Sequence, residues 1–302
     1  MPSWSALVDE VHAAGTTYDL TRRKYLKALA EHTQRNVIVY YSGWLQKGHL
    51  QQQTGVDFGV NDLDKDGLMA TIHEMDRTKG LDLLLHTPGG DTAATESLVD
   101  YLREMFDGDI RAVIPQLALS AGTLIALACR QIVMGKHSSL GPIDPQIGGM
   151  PAHAIVEEWT RAHAEVQADP QKLAFWQLVI SKYPPTLIGA CEKAIKWSED
   201  MAQDWLATGM FAGAEDPHAK AEGVVALIGS HAETKAHNRH ISAVRAKEMG
   251  LAVFDLEDDQ TLQELALSVH HACMLTLSDT PMVKLIENHN GIAYTQQYEI
   301  RF

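Results

Sequence analysis

The sequence predicts an α/β protein in which helices cover a mainly parallel sheet and a long helical insert follows it. Short apolar runs of strand length alternate with helix-like segments between residues 35 and 134. This alternation is typical of parallel strands joined by right-handed helical crossovers. Residues 152–208, in contrast, carry only helix-like patterns. The hydrophobic fraction of 45% is ordinary for a chain of 302 residues with a full core.

The elements follow in order along the chain. Residues 1–34 predict a helical arm with an apolar stripe, and residues 35–41 form an almost continuous apolar strand. The polar, Gln-rich stretch 42–62 predicts a surface loop, with a flap over a binding site as the alternative. The remaining predicted elements are helix 68–78, strand 81–86, helix 94–106, strand 110–115, helix 121–129 and strand 132–134.

Two features resemble metal sites without completing one. Residues 62–67 open like an EF-hand calcium loop, but the position that requires a bidentate Glu is His73. We interpret this stretch as an acidic turn before helix 68–78. Six histidines of the tail lack a full ligand set such as H-E-x-x-H, so no metal is predicted. They are His231, His237, His240, His270, His271 and His289.

Two short segments about thirty residues apart can together perform acyl transfer. Strand 81–86 ends at Thr87-Pro88-Gly89-Gly90, a turn that glycines make at low cost. Ser120 lies between a loop and an apolar helical run, among small neighbours. A serine hydroxyl can act as a nucleophile. Backbone N–H groups of Gly89 or Gly90 and of Ala121 can hold the oxyanion that its attack creates.

Each segment also has a simpler interpretation. A Pro-Gly-Gly turn by itself is typical of any connection from a strand to a helix. A serine at a helix start is more often an N-cap than a nucleophile. Because the glycine turn and the serine occur one βα unit apart, we favour the nucleophile for Ser120.

Three motifs in this order resemble the Clp-protease/crotonase superfamily. They are HTPGG (86–90), LSAGTLIALA (119–128) and SSLGPIDPQIGG (138–149). Within the superfamily they are similar to the signal-peptide-peptidase-like serine proteases and, among these, to the serine dehydrogenase proteinase group, over residues 36–228. The resemblance implies a fold of repeated ββα units with a long helical insert. It also implies a nucleophile at Ser120 and an oxyanion hole at Gly89 or Gly90 and Ala121.

The general base is the point at which this sequence departs from the best-known patterns. Clp-type proteases carry a histidine where this chain has Asp144, so a triad of that kind is absent. Signal-peptide-peptidase-like enzymes use a lysine instead. We expect His153 as the base, since a neutral imidazole is competent near pH 7. Lys172, together with Lys182, is the alternative and would need burial to lower its pKa. A base elsewhere, or none, stays open.

Composition and charge exclude several classes of protein. A formal net charge of −14 disfavours non-specific binding to nucleic acids. The sequence has neither an apolar run of membrane-spanning length nor a signal peptide. We therefore expect a cytoplasmic protein without membrane contact, with Cys129, Cys191 and Cys273 as buried free thiols. No G-x-G-x-x-G opens a helix after a strand, so no nicotinamide or other cofactor is predicted.

These patterns divide the chain into three parts. Residues 1–34 form the N-terminal arm, residues 35–230 the catalytic domain with its insert at about 152–208, and residues 231–302 a C-terminal extension without assigned chemistry. Tyr183-Pro184-Pro185 interrupts the insert. The insert resembles the helical handle through which these peptidases oligomerise, so a homo-oligomer is expected. An ordinary helical subdomain is the alternative.

The sequence thus predicts a serine endopeptidase that hydrolyses peptides or unfolded proteins. Two other functions stay open. One is a catalytically inactive scaffold that binds a partner through the insert. The other is an enzyme of the same fold that acts on acyl thioesters, although the sequence shows no basic cluster suited to coenzyme A phosphates.

Overall fold

A computed structural model describes residues 4–14, 18–229 and 239–298 of the chain. Its strands are short, and most of them alternate with helices. The strands are β1 (Asn36–Ser42), β2 (Leu81–His86), β3 (Ile110–Ile114), β4 (Leu117–Ala118), β5 (Gln131–Met134), β6 (Ser139–Leu140), β7 (Gln146–Ile147), β8 (Met150–Pro151), β9 (Ile241–Ser242), β10 (Val253–Asp255), β11 (Met282–Asn288) and β12 (Ala293–Gln297).

Twelve α-helices lie within these described ranges, together with three short 3₁₀ turns. The helices are α1 (Trp4–Ala14), α2 (Tyr18–Thr33), α3 (Trp44–Thr54), α4 (Leu63–Ile72), α5 (Thr92–Met105), α6 (Ala121–Leu127), α7 (Ala152–Ala168), α8 (Leu173–Ile180), α9 (Leu187–Thr208), α10 (Pro217–Ile228), α11 (Ala243–Glu248) and α12 (Gln260–Asp279). None of the helices in the described ranges has the length and apolar character needed to cross a membrane.

Seven strands form the central sheet, in the order β10-β5-β3-β2-β1-β11-β12. The five strands from β10 to β1 run parallel, and β11 and β12 add to this edge in antiparallel orientation. The predicted α/β fold with its mainly parallel sheet is confirmed. Because parallel strands end at the same edge of a sheet, the segments that follow β2 and β3 lie side by side.

Both faces of the sheet are buried, and alternate residues of each strand face opposite sides. Ile38 and Tyr40 of β1 join the core formed with α4, α5, α6, α9 and α10. Val39 and Tyr41 join the core formed with α2 and α12. The near-continuous apolar run of β1 follows from this two-sided burial, as expected for a parallel sheet with helices on both faces.

Two local predictions are wrong. The stretch 42–62 is not a simple loop, because residues 44–54 form the helix α3. Lys47 of α3 donates hydrogen bonds to three carbonyl groups between the end of α12 and the start of β11. Leu50 packs beside Phe58. The predicted helix 68–78 begins at Leu63 and ends at Ile72. Both errors arise because distant contacts, which local composition does not reveal, fix these segments.

The C-terminal residues are built into the same sheet as the motif-bearing strands. β11 pairs with β1, and β10 pairs with β5 at the opposite edge. Helix α12 packs on α2 across one face of the sheet. A buried ion pair between Arg22 of α2 and Glu287 of β11 ties the N-terminal arm to this strand.

The insert consists of α7, α8 and α9, and its predicted interruption at residues 183–185 falls between α8 and α9. Ile155 of α7 packs with Leu187 and Cys191 of α9 in a small core of its own. Helix α8 is apolar on nearly all sides, yet Leu173, Phe175 and Leu178 are exposed. All three cysteines are buried and unpaired, as predicted.

Candidate active site

Two neighbouring segments meet at the carboxyl edge of the sheet. The segment after β2 and the segment after β3 are joined by hydrogen bonds from Thr87 N to Leu117 O and from Leu119 N to Thr87 O, of 3.1 and 3.0 Å. This pairing brings the glycine turn against Ser120. A Cβ atom on Gly89 would lie only 2.6 Å from the Cβ of Ser120, so no larger residue fits there without displacement.

Ser120 occupies a strained backbone conformation at the sharp turn into α6. Its φ is 51° and its ψ is −114°, a combination that residues other than glycine rarely adopt. Its side chain makes no capping hydrogen bond to α6. The simpler interpretation of Ser120 as an N-cap therefore does not apply. Strain of this kind, at a strand-to-helix turn that projects a serine, is typical of nucleophiles in acyl-transfer enzymes.

A third segment fixes the orientation of the glycine turn. Val60 N donates to Gly89 O at 2.7 Å, and Asp91 N donates to Val60 O at 2.8 Å. In a trans peptide the C=O and N–H groups point in opposite directions. Because the Gly89 carbonyl points to Val60, the Gly90 N–H points away from it.

The structure distinguishes between the two glycines as oxyanion donors. The Gly89 N–H donates to the Thr87 hydroxyl at 3.2 Å and is therefore occupied. Neither the Gly90 N–H nor the Ala121 N–H donates to any group in the described part of the chain. Gly90 and Ala121 both line the same cavity as Ser120. Two unpaired donors beside a serine hydroxyl are the arrangement that an oxyanion requires.

This cavity is small and mostly polar, with a volume of about 260 Å³. Its walls come from the glycine turn, the start of α6, the loop before β7, and α9 of the insert. The lining residues are Pro88, Gly90, Asp91, Thr92, Ser120, Ala121, Leu124, Ile143, Pro145, Gln146 and Ser198. The hydroxyl of Ser198 donates to Ile143 O at 3.0 Å and so holds the loop against α9.

His153 is hydrogen-bonded to a buried carboxylate in the loop whose neighbouring residues line this cavity. Its Nδ1 lies 2.7 Å from Oδ1 of Asp144, whose side chain is 1% exposed. Ile143 and Pro145, the two neighbours of Asp144, line the cavity, whereas His153 itself is not among the lining residues. The hydrogen bond with Asp144 raises the pKa of His153 above its ordinary value, against the opposing effect of partial burial.

The geometry of this pair also fixes the role of each ring nitrogen. A carboxylate is only an acceptor, so Nδ1 carries the proton that it shares with Asp144. Nε2 then holds a free lone pair, and it has no partner among the residues that the structure describes. The second oxygen of Asp144 is buried without a partner in that same set. The hydrogen bond to Asp144 therefore favours the protonated form of the His153 ring.

Asp144 is a candidate site residue whose contact with His153 is not predicted from the sequence. Gly148-Gly149 forms the two-residue turn of a hairpin in which Gln146 pairs with Pro151. This register continues to the hydrogen bond from Ala152 N to Pro145 O, and it places Asp144 opposite His153. A Gly-Gly pair between short extended segments is a recognised hairpin signal, and it was present in the sequence.

The alternative lysine bases lie in a different environment. Lys172 is exposed and lies 3.3 Å from Glu165 on the outside of the insert. Lys182 is also exposed. Neither lysine is among the residues that line the Ser120 cavity. Neither position therefore provides the buried environment that the lysine alternative requires.

No group of acidic, histidine or cysteine side chains in the described ranges is arranged to hold a metal ion. His231 and His237 lie outside those ranges. His270 is buried against Tyr41, and His289 contacts the backbone of Val37. His86, which precedes the glycine turn, points to the other face of the sheet, where it stacks on Trp44.

Comparison with known proteins shows the family of the chain. Residues 16–257 match the model of the ClpP-like SDH-type serine proteinase family. The chain belongs to this family. Two uncharacterised proteins of Methanocaldococcus jannaschii are similar to it, one with 33% identity over 160 residues (51% of this chain and 52% of the relative) and one with 30% identity over 192 residues (63% and 57%). The chain thus spans little more than half the length of these relatives. No solved structure matches it.

Proposed function

We propose that this protein is a serine endopeptidase with Ser120 as its nucleophile. The observation that carries the proposal is the conformation of Ser120, which is strained, makes no cap and projects into a cavity with two unpaired backbone donors. A structural serine would have no need of this strain. The proposed oxyanion hole consists of the N–H groups of Gly90 and Ala121. His153, held by Asp144, is the proposed general base.

The proposed reaction follows the usual course of acyl transfer. The Oγ of Ser120 attacks the carbonyl carbon of a peptide bond, and its proton passes to Nε2 of His153. The carbonyl electron pair moves onto the oxygen, which the Gly90 and Ala121 N–H groups stabilise. Collapse of this intermediate breaks the C–N bond, and the leaving amine takes the proton from His153. Water then hydrolyses the acyl-enzyme by the same steps.

The predicted substrate, assembly and location form part of this proposal. Peptides or unfolded proteins are the expected substrates, because a cavity of about 260 Å³ is too small to hold a folded domain. The exposed Leu173, Phe175 and Leu178 support a homo-oligomer through the insert, because a helix that is apolar all round is ordinarily covered. If Lys172 were the base instead of His153, the mechanism would be that of the signal-peptide-peptidase-like enzymes. The proposed location of the protein is the cytoplasm.

The proposal is tested by treating the native protein with a fluorophosphonate and locating the adduct by mass spectrometry. We expect a single adduct on Ser120, which is absent after heat denaturation and in Ser120→Ala. His153→Ala should slow labelling strongly, whereas Lys172→Ala should leave it unchanged. The reverse pattern would assign the base to Lys172. A folded protein without any adduct on Ser120 would contradict the proposal and favour a scaffold or a thioester enzyme.

A further inference from the structure

A buried ion pair lies on the far side of the segment that orients the glycine turn. Nζ of Lys284, from β11, is 2.9 and 3.0 Å from the two carboxylate oxygens of Asp64. Both side chains are almost completely buried, at 1% and 0% exposure. The hydroxyl of Tyr40 also donates to Asp64 at 2.6 Å. Burial of two charges costs desolvation free energy and gives little net stability. We therefore expect this pair to have a role other than stabilising the fold.

The ion pair holds the backbone of residues 59–61 from one side. Lys284 Nζ donates to Gly59 O at 2.6 Å, and Asn61 N donates to Oδ2 of Asp64 at 3.0 Å. Val60, between these two anchored residues, makes both hydrogen bonds to the glycine turn. The segment 59–61 is therefore a bridge with the ion pair on one side and Gly89–Asp91 on the other.

The contacts along this bridge leave no room for adjustment. A Cβ atom on Gly90 would lie 2.0 Å from Val60 N, and one on Gly59 would lie 3.0 Å from the Cα of Gly90. A peptide unit between two glycines can otherwise rotate at low cost, since glycine lacks the steric restriction of other residues. If Val60 shifted, the Gly89–Gly90 peptide could turn, and the Gly90 N–H would no longer face the Ser120 cavity.

We propose that Lys284 is a positioning residue for the oxyanion hole, acting through Gly59 and Val60 on the Gly90 N–H. This inference rests on the proposed function of Ser120 and adds a residue from the C-terminal strand β11. Lys284 lies beyond residue 257, where the match to the family model ends. In this chain a segment outside that match thus contacts the bridge, residues 59–61, that is hydrogen-bonded to the glycine turn.

The test replaces the ion pair without leaving a buried charge. Lys284→Met by itself leaves Asp64 uncompensated and can unfold the protein, so the informative variant is Asp64→Asn with Lys284→Met. The introduced amide keeps an acceptor for Tyr40 and Asn61, while the bond to Gly59 O is lost. The matched control is Arg22→Met with Glu287→Gln, which removes a buried ion pair on the opposite face of the same strand and leaves its more exposed partners Asp19 and Arg23 in place.

Three measurements are made on both double variants and on the wild-type protein: labelling kinetics, amide hydrogen exchange and the melting temperature. In the Asp64/Lys284 variant, we expect the maximal rate of fluorophosphonate labelling at Ser120 to fall about tenfold or more, as for a weakened oxyanion donor. The fluorophosphonate concentration that gives half of this maximal rate should stay unchanged. The control should label like the wild type. Hydrogen exchange of the Val60 and Asp91 amides should become faster in the Asp64/Lys284 variant alone, while its melting temperature stays close to that of the control.

The outcomes separate this inference from the proposed function. If the wild-type protein is labelled at Ser120 and the folded Asp64/Lys284 variant is labelled at the same rate, Lys284 has no positioning role. The peptidase proposal then stays intact. An equal loss of rate in both double variants also overturns it, since the effect would then come from general destabilisation. Absence of labelling in the wild-type protein overturns both proposals together.

Discussion

Replacement of Asp144 by Asn tests the proposed base most directly. The hydrogen bond that it alters is charge-assisted, 2.7 Å long and buried on the Asp144 side. Hydrogen bonds of this type contribute about 1.5–3 kcal/mol, and about 1.4 kcal/mol corresponds to a tenfold change in rate. We therefore expect the rate of fluorophosphonate labelling at Ser120 to fall about 10- to 150-fold.

The pH dependence of the same variant gives an independent check. His153 acts as a base only when it is neutral, so the labelling rate should rise with pH through the pKa of His153. Asp144 raises that pKa, so wild-type half-maximal labelling should occur above the ordinary value of about 6.5. Asn at position 144 removes the negative charge and lowers the pKa of His153. The midpoint should therefore move to lower pH even as the maximal rate falls.

Protein stability should follow the same linkage. Because the pKa of His153 is higher in the folded protein than in the unfolded chain, its protonation stabilises the fold below pH about 6.5. This contribution is lost as pH rises through the raised pKa.

Asp169→Asn is the control, since Asp169 is a carboxylate on the surface of the insert. It should change neither the labelling rate nor the pH at which labelling is half-maximal. A wild-type rate and midpoint in Asp144→Asn would refute the role of His153 as base.

Four further predictions concern stability and reactivity. Ser120→Ala should abolish labelling but change the free energy of unfolding by less than about 0.5 kcal/mol, because no capping hydrogen bond is lost. Asp216→Ala removes the N-cap of α10 and should lower the free energy of unfolding by about 1 kcal/mol, as measured by chemical denaturation. Leu83→Ala in the core of β2 should cost about 2–5 kcal/mol by the same assay. The three cysteines are buried and should not react with a thiol reagent until the protein unfolds. Burial also raises the pKa of Cys129 to about 12, which disfavours its reactive thiolate form. Rapid reaction of the native protein would contradict this prediction.

The sequence revealed the strands and the two candidate catalytic motifs because their signals are local. The apolar runs of β1, β2 and β3 lie within a residue or two of their predicted bounds. The turn at residues 87–90 and Ser120 were identifiable because few residue types permit such sharp turns beside a small cavity. Helix α3 escaped prediction, since its stability depends on Lys47 and on the end of α12, more than two hundred residues away.

The sequence by itself therefore determined the α/β class, the serine and the glycine turn, which depend on residue type and short-range periodicity. Only the tertiary structure decided that Gly90 rather than Gly89 offers a free N–H, that Ser120 is strained rather than capping, and that Asp144 supports His153. It also placed Lys284 against residues 59–61, which are hydrogen-bonded to the glycine turn. The physical reason is that hydrogen-bond partners and peptide orientation depend on segments that meet only after the chain has folded.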